Sequence, residues 1–438
     1  MTATTRALLG AASICALAAA AAAQDATLTI ATVNNGDMVR MQGLAADFEA
    51  KNPGIALDWV VLEENVLRQR VTTDIATSGG QYDVMTIGTY EVPIWARQGW
   101  LTPLSDLPAE WDAADILPAV SAALSVDGTL YAAPFYGESA MVMYRTDLAE
   151  AAGVTIPEQP TWADIRAAAE AMTDEDAGVY GICLRGKPGW GENMAFLTAM
   201  ANSYGARWFD ADWNAQLDSP EWSEAVTDYL DLITQYGPPG ASSNGFNENL
   251  SLFQQGRCGM WIDATVAASF VTDPDDSAVA DSVGFAQFPS KEGVDNRGNW
   301  LWAWSLAIPS SSDAPDAAKA FVAWATGKDY TQLVAAEEGW RAAPPGTRTS
   351  LYENPEYQAA APFAAMTLSS MNAADTQSPS VQETPYTGGQ FVAIPEFQGI
   401  GTAVGQQMAA ALAGQKTGEQ ALADAQALTQ REMDRAGY

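Results

Sequence analysis

Residues 27–33 read TLTIATV, residues 55–62 read IALDWVVL and residues 82–87 read YDVMTI. Each run is short, rich in β-branched and aromatic residues, and bounded by turn formers, which marks three strands. Between the first two, Met38, Met41, Leu44, Ala45 and Phe48 fall on one helical face, and Asn52-Pro53-Gly54 stops the helix. Between the second and third, Leu67, Val71 and Ile75 repeat at four-residue spacing, and Gly79-Gly80 ends that helix. A βαβαβ order needs right-handed crossovers and produces an α/β fold on a mostly parallel sheet. Ligands of such sheets bind beyond the carboxyl ends of the strands. Here those ends deliver Asn34, Asn35 and the segment Gly88-Thr89-Tyr90-Glu91.

Further along, the texture changes. Residues 131–144 are extended and aromatic, as are residues 299–309, and the two stretches are candidate chain crossings between lobes. Thr161 is placed to cap a helix beginning at Trp162. Polar, Gly-rich loops surround residues 185–193 and 237–249, and residues 401–436 read as one or two Ala- and Gln-rich helices.

Composition narrows the function. Lys+Arg is 21 against Asp+Glu 54, a formal net charge of −33, and such a surface repels nucleic acid and anionic lipid. The chain has no histidine, which removes histidine bases, His-based triads and histidine metal sites. No cofactor or metal site is expected. Arg6, the apolar run 7–22 and Ala21-Ala22-Ala23 before Gln24 read as a signal peptide over residues 1–23, which implies export to the periplasm. Cys15 is not read as a lipid attachment site, because Ile14 stands where a small residue is needed. Removal of that segment leaves Cys183 and Cys258, and two cysteines in an oxidising compartment suggest one disulfide, with two buried thiols as the alternative.

Several segments resemble the extracellular solute-binding proteins of ABC importers, the large group that includes maltose-binding proteins. They are FEAKNPG at 48–54, YDV at 82–84, GWLTPL at 99–104, DGTLYAAP at 127–134, YRTDL at 144–148, FQQGRCGMW at 253–261 and AIP at 307–309. Each is weak alone; their order and spacing are specific. CLRGKPGWGEN at 183–193, WIDAT at 261–265 and NWLWAW at 299–304 resemble the sorbitol/mannitol-binding type. The resemblance implies two α/β lobes joined by hinge crossings, the ligand in the cleft between them, and a partner permease driven by a cytoplasmic ATPase. It places residues 24–136 and 306–360 in lobe 1, and 137–305 and 361–438 in lobe 2. A monomer is expected.

A sugar alcohol offers many hydroxyls and an apolar C–H surface, so its site needs multivalent hydrogen-bonding groups against flat aromatic walls. Trp300, Trp302 and Trp304 alternate and share one side of a strand, facing either the cleft or a core, and the resemblance favours the cleft. Asp263, in an apolar run, either contacts ligand or caps a helix starting near Ala264. Arg185 and Asn193 flank a Gly-rich loop able to close on a ligand. Asn35, Tyr90, Glu91, Tyr136, Arg341 and Glu396 complete the expected ligand set, each with a structural role as the alternative. A competing reading is a secreted glycoside hydrolase, which needs a pair of carboxylates about 5–10 Å apart; another is a binding protein for a disaccharide.

Overall fold

The first two strands run side by side in full register, β1 (Ala26–Val33) parallel to β2 (Ile55–Leu62), with Ala26 opposite Ile55 and Val33 opposite Leu62. The computed structural model that shows this describes residues 26–438; the expected signal segment 1–23 and Cys15 lie outside the described residues. Helix α1 (Gly36–Lys51) connects them and buries Met38, Met41, Ala45 and Phe48, the stripe read from the sequence. Helix α2 (Glu64–Ala76) begins where the Glu63 carboxylate accepts from the Val66 N–H, and it buries Leu67, Val71 and Ile75. Strand β3 (Val84–Ile87) lies on the other side of β1 and is shorter than expected. Asp83, at its start, uses its side chain to accept from Thr29 N–H at 2.9 Å. Helix α3 (Glu91–Arg97) follows.

A two-residue hairpin, β4 (Ser125–Val126) with β5 (Thr129–Leu130), leads into β6 (Ala132–Glu138). The chain then leaves the first sheet. Strands β7 (Ala140–Arg145), β8 (Tyr180–Cys183), β9 (Cys258–Ala264) and β10 (Val283–Gln287) form a second sheet in the order β10-β7-β9-β8. Strand β11 (Trp302–Ala307) returns to the first sheet, whose order is β2-β1-β3-β11-β6, and runs antiparallel to both neighbours. The two extended aromatic stretches are thus the segments that cross between sheets.

Two expected boundaries shift. The division at 136/137 falls inside β6, and the division at 305/306 falls inside β11, so Glu138, Trp302 and Trp304 belong to the first sheet. The reason is hydrogen bonding: Trp302 pairs with Glu138 and Trp304 with Tyr136 across the β6–β11 ladder. The crossings are pinned to one another. Ser139 N–H donates to Thr265 Oγ1 at 3.1 Å, and Asn299 Nδ2 donates to Ala140 O at 3.2 Å. A third pass of the chain touches the same place, where Gly137 N–H donates to Pro345 O at 2.8 Å.

Cys183 and Cys258 form a disulfide between adjacent strands β8 and β9. It closes 75 residues of chain, worth about 4 kcal/mol in chain-entropy terms. Thr161 caps the helix Trp162–Met172 in a reciprocal capping box with Asp164, as its position suggested. The tail folds as two helices, Phe397–Leu412 and Gly418–Ala436. Among the described residues no helix is long and apolar enough to cross a membrane.

Candidate functional site

Alternation along two paired strands builds one wall of a cavity between the sheets. Tyr136 and Glu138 lie two apart on β6 and share a face, and their cross-strand partners Trp304 and Trp302 share it too. Gly88 makes room for this wall, because a Cβ there would fall 2.0 Å from the Trp302 ring. Asn35, just past the carboxyl end of β1, and Glu64 and Arg68 at the start of α2 add polar groups from the first lobe. The second lobe contributes Arg185, Trp190, Gly191, Ala195, Phe246 and Val266, with Trp300 and Gln390 completing the lining. The space measures about 460 Å³, part of it open to solvent.

Two guanidinium groups organise the polar side. Arg68 donates from Nε and Nη2 to Glu64 Oε1 at 3.0 and 2.9 Å, and from Nη1 to Glu91 Oε1 at 2.9 Å. Its guanidinium carbon lies 4.1 Å from the Trp190 ring centre, 4.8 Å from Trp302 and 4.7 Å from Trp304. Each such contact contributes about 0.5–2 kcal/mol and fixes the plane of the cation. Arg185 grips Asp263 with Nε and Nη2, at 2.9 Å to Oδ2 and 2.6 Å to Oδ1, and donates from Nη1 to Gly191 O at 3.0 Å. A guanidinium has five N–H donors, roughly two of which then remain free on each arginine to meet a ligand oxygen. Burial would depress the Arg185 pKa, but the adjacent Asp263 carboxylate overrides it and raises it, so the cation is permanent.

Acceptors are present in excess. Among the described residues no hydrogen bond reaches the Glu138 carboxyl, which is only 6% exposed. Burial pushes its pKa well above the usual carboxylate range; Arg185 opposes that, and Asp263 and Glu64 reinforce it. Asn35 donates to the Tyr136 hydroxyl at 2.9 Å, which leaves the phenolic O–H free to donate onward. The indole N–H groups of Trp300 and Trp302 and the Gln390 Oε1 are buried without partners. A buried polar group without a partner costs free energy unless a bound molecule supplies one. The lining therefore suits a neutral solute that donates and accepts many hydrogen bonds and has a C–H face to lay on indole.

The structure brings together Asn35, Tyr136, Arg185, Trp300, Trp302 and Trp304 of the residues expected at the site. It does not bring the others to the cavity lining. Asp263 is fully buried behind Arg185, inside β9, and accepts from Trp261 Nε1 at 3.1 Å and Ala264 N–H at 2.7 Å; it neither lines the cavity nor caps a helix. Glu91 supports Arg68 from behind and accepts from Gly88 N–H at 3.0 Å. Tyr90 turns away and donates its hydroxyl to Ile394 O at 2.7 Å. Asn193 is consumed by backbone, donating to Gly405 O at 2.9 Å and accepting from Gly189 N–H at 3.2 Å. Arg341 pairs with Asp273 at 2.8 Å, and Glu396 accepts from the Tyr438 hydroxyl at 3.1 Å.

The sequence reading missed Glu64, Arg68, Glu138, Trp190, Phe246 and Gln390. Glu64 and Arg68 carried a usable signal: an i,i+4 ion pair in the first turns of a helix that starts at the carboxyl end of a strand. Glu138, at the end of an otherwise apolar strand run, carried another.

The lobes touch across the site. Lys187 pairs with Glu63 at 2.6 Å, Asn65 Nδ2 donates to Pro188 O at 3.2 Å, and a Cβ on Gly191 would fall 2.4 Å from Glu64 Oε1. The cleft is closed.

Residues 34–332 match the family described as bacterial extracellular solute-binding protein. A mannitol-binding protein of Pseudomonas aeruginosa is 57% identical over 412 residues, covering 94% of each chain. A solute-binding protein of Agrobacterium vitis S4, solved with bound D-mannitol, superposes with a TM-score of 0.93 at 66% identity, covering 94% of this chain and 99% of that one. One from Agrobacterium radiobacter K84 in complex with ribitol gives a TM-score of 0.82 at 26% identity, covering 93% and 99%. The family binds and does not catalyse, so the hydrolase alternative falls. With its two α/β lobes closed over a polar, indole-walled cavity, this chain belongs to the bacterial extracellular solute-binding proteins of ABC importers.

Proposed function

We propose that this chain captures a sugar alcohol, D-mannitol foremost, in the periplasm and presents it to the permease of an ABC importer. The cavity's chemistry carries this reading: two guanidiniums with free N–H groups, carboxyls able to meet hydroxyls, and indole rings in a space of about 460 Å³. Aromatic walls with a few convergent polar groups are usual for small-molecule sites, and the ligands of the two polyol-bound relatives are consistent with such a lining. In this reading Arg68 and Arg185 donate to hydroxyl oxygens, Glu64 and Asn35 accept, Glu138 meets a further hydroxyl, and Trp300, Trp302 and Trp304 cover the C–H surface. Asp263 and Glu91 hold the arginines in place. One chain supplies both walls, so the site needs no second copy, in keeping with a monomer.

Titration with mannitol, sorbitol, ribitol and maltose, read by tryptophan fluorescence and thermal melting, tests it. Mannitol should shift the emission and raise stability by roughly 2.7 kcal/mol at about 100 times Kd. Maltose, a disaccharide, should do neither. Tight maltose binding with no response to any sugar alcohol would overturn the reading.

A further inference from the structure

The acids in and behind the cavity wall outnumber the cations. Glu64 of α2, Glu91 of α3, Glu138 of β6, Glu192 after β8 and Asp263 of β9 surround Arg68 and Arg185. Arg68 is committed to Glu64 and Glu91, and Arg185 to Asp263. Glu192 lies 3.6 Å from both Arg185 and Lys187, and Lys187 also serves Glu63 at the rim. Tyr136 faces the same space with a neutral hydroxyl. Glu138 alone is left with no ion-pair partner and no hydrogen bond among the described residues, although it is nine-tenths buried and lines the cavity. Arg185 and Arg68 pull toward the ionised form without pairing with it, and a carboxylate whose burial outweighs that pull neutralises instead of staying charged.

We propose that Glu138 becomes a neutral carboxyl when the lobes close on ligand and donates its O–H to a ligand hydroxyl, so that each molecule captured takes up one proton. The inference rests on the sugar-alcohol reading above. The proton comes from solvent and is carried on a carboxyl oxygen of Glu138; the ligand is unchanged and no covalent bond in it breaks. Arg185, Trp190 and Phe246 line the same cavity from the second lobe, so parting the lobes would admit water to the ionised form of Glu138. Burial pushes the Glu138 pKa up in the closed site, in keeping with this geometry. The sign follows. A pKa higher in the bound state makes affinity greatest below the free-state pKa, and affinity falls as pH rises above it. Glu192 is also pushed up by burial, to about 8, with Glu64 reinforcing that, so it is the group from which Glu138 must be distinguished.

Isothermal calorimetry of the full chain with D-mannitol, in buffers of low and high ionisation enthalpy, counts the protons. Wild type should take up about one proton near pH 7.5 and lose affinity by up to about tenfold per pH unit above the free-state pKa. Glu138→Gln, whose amide N–H stands in for the carboxyl O–H, should bind about three- to tenfold more weakly near pH 6, with proton uptake near zero and the pH slope gone. Glu192→Gln should keep the uptake. Wild-type binding without buffer-dependent heat overturns the proposal, as does uptake that persists in Glu138→Gln, uptake lost in Glu192→Gln, or a folded Glu138→Gln protein that binds at no pH. Absence of mannitol binding to wild type at every pH overturns the ligand reading itself, and this proposal with it.

Discussion

Asp263 shows how much a single residue's environment changes its meaning. A lone carboxylate in an apolar run has to be paired, and here its two oxygens take the Arg185 fork, an indole N–H and its neighbour's backbone N–H. It therefore positions Arg185 and does not itself touch the cavity. Removing the charge leaves the buried guanidinium with only Glu192, at 3.6 Å, as an ion-pair partner, and breaking a buried pair typically costs about 3–5 kcal/mol. Asp263→Asn should lower the urea midpoint accordingly and weaken mannitol binding by misaiming Arg185, while far-ultraviolet circular dichroism keeps its native shape. A variant with wild-type midpoint and affinity would show that Arg185 is held by other groups.

At the scale of elements, the function depends on how tightly the crossings lie against one another. Gly137, near the end of β6, and Gly346, in the third crossing, meet backbone to backbone. A Cβ on Gly346 would fall 2.0 Å from the Gly137 carbonyl oxygen, and its φ of +74° is in the left-handed region. That conformation alone costs a non-glycine residue about 1–2 kcal/mol, and a backbone overlap has no flexible side chain to relieve it. Gly346→Ala should thus lose more than about 2 kcal/mol in denaturant melts and reduce ligand affinity as well, because the same contact sets the angle between the lobes. Wild-type stability in that variant would mean the crossings are loosely joined.

For the whole molecule the relevant quantity is the difference between two lobe arrangements. The closed form is held across the cleft by Lys187–Glu63, by Asn65 on Pro188 O, and by the Arg68 cation against the Trp190 ring. A half-buried ion pair at the rim and one hydrogen bond contribute little, about 0–2 kcal/mol together. A ligand that touches both walls binds the closed arrangement better than the open one, and only that difference shifts the balance. Small-angle scattering should therefore show the radius of gyration falling as mannitol is added, with no change on adding maltose. A radius independent of mannitol at saturation would mean that closure does not need the ligand.

The sequence by itself determined the α/β class, because local periodicity and turn chemistry specify β1, α1, β2 and α2 without reference to anything distant. It also determined the pair of cysteines, the absence of histidine chemistry and the alternation that puts Trp302 and Trp304 on one face. It did not determine which buried polar residue meets the cavity and which stands behind it. Asp263 and Arg185 are 78 residues apart, and Glu138 and Trp302 face each other only through the β6–β11 ladder. Such pairings depend on which strand lies beside which and in what register, a long-range choice with no trace in local spacing. Glu91 and Glu138, both acids at strand or helix ends, look alike in the sequence; only the folded chain gives one an arginine and leaves the other open to the ligand.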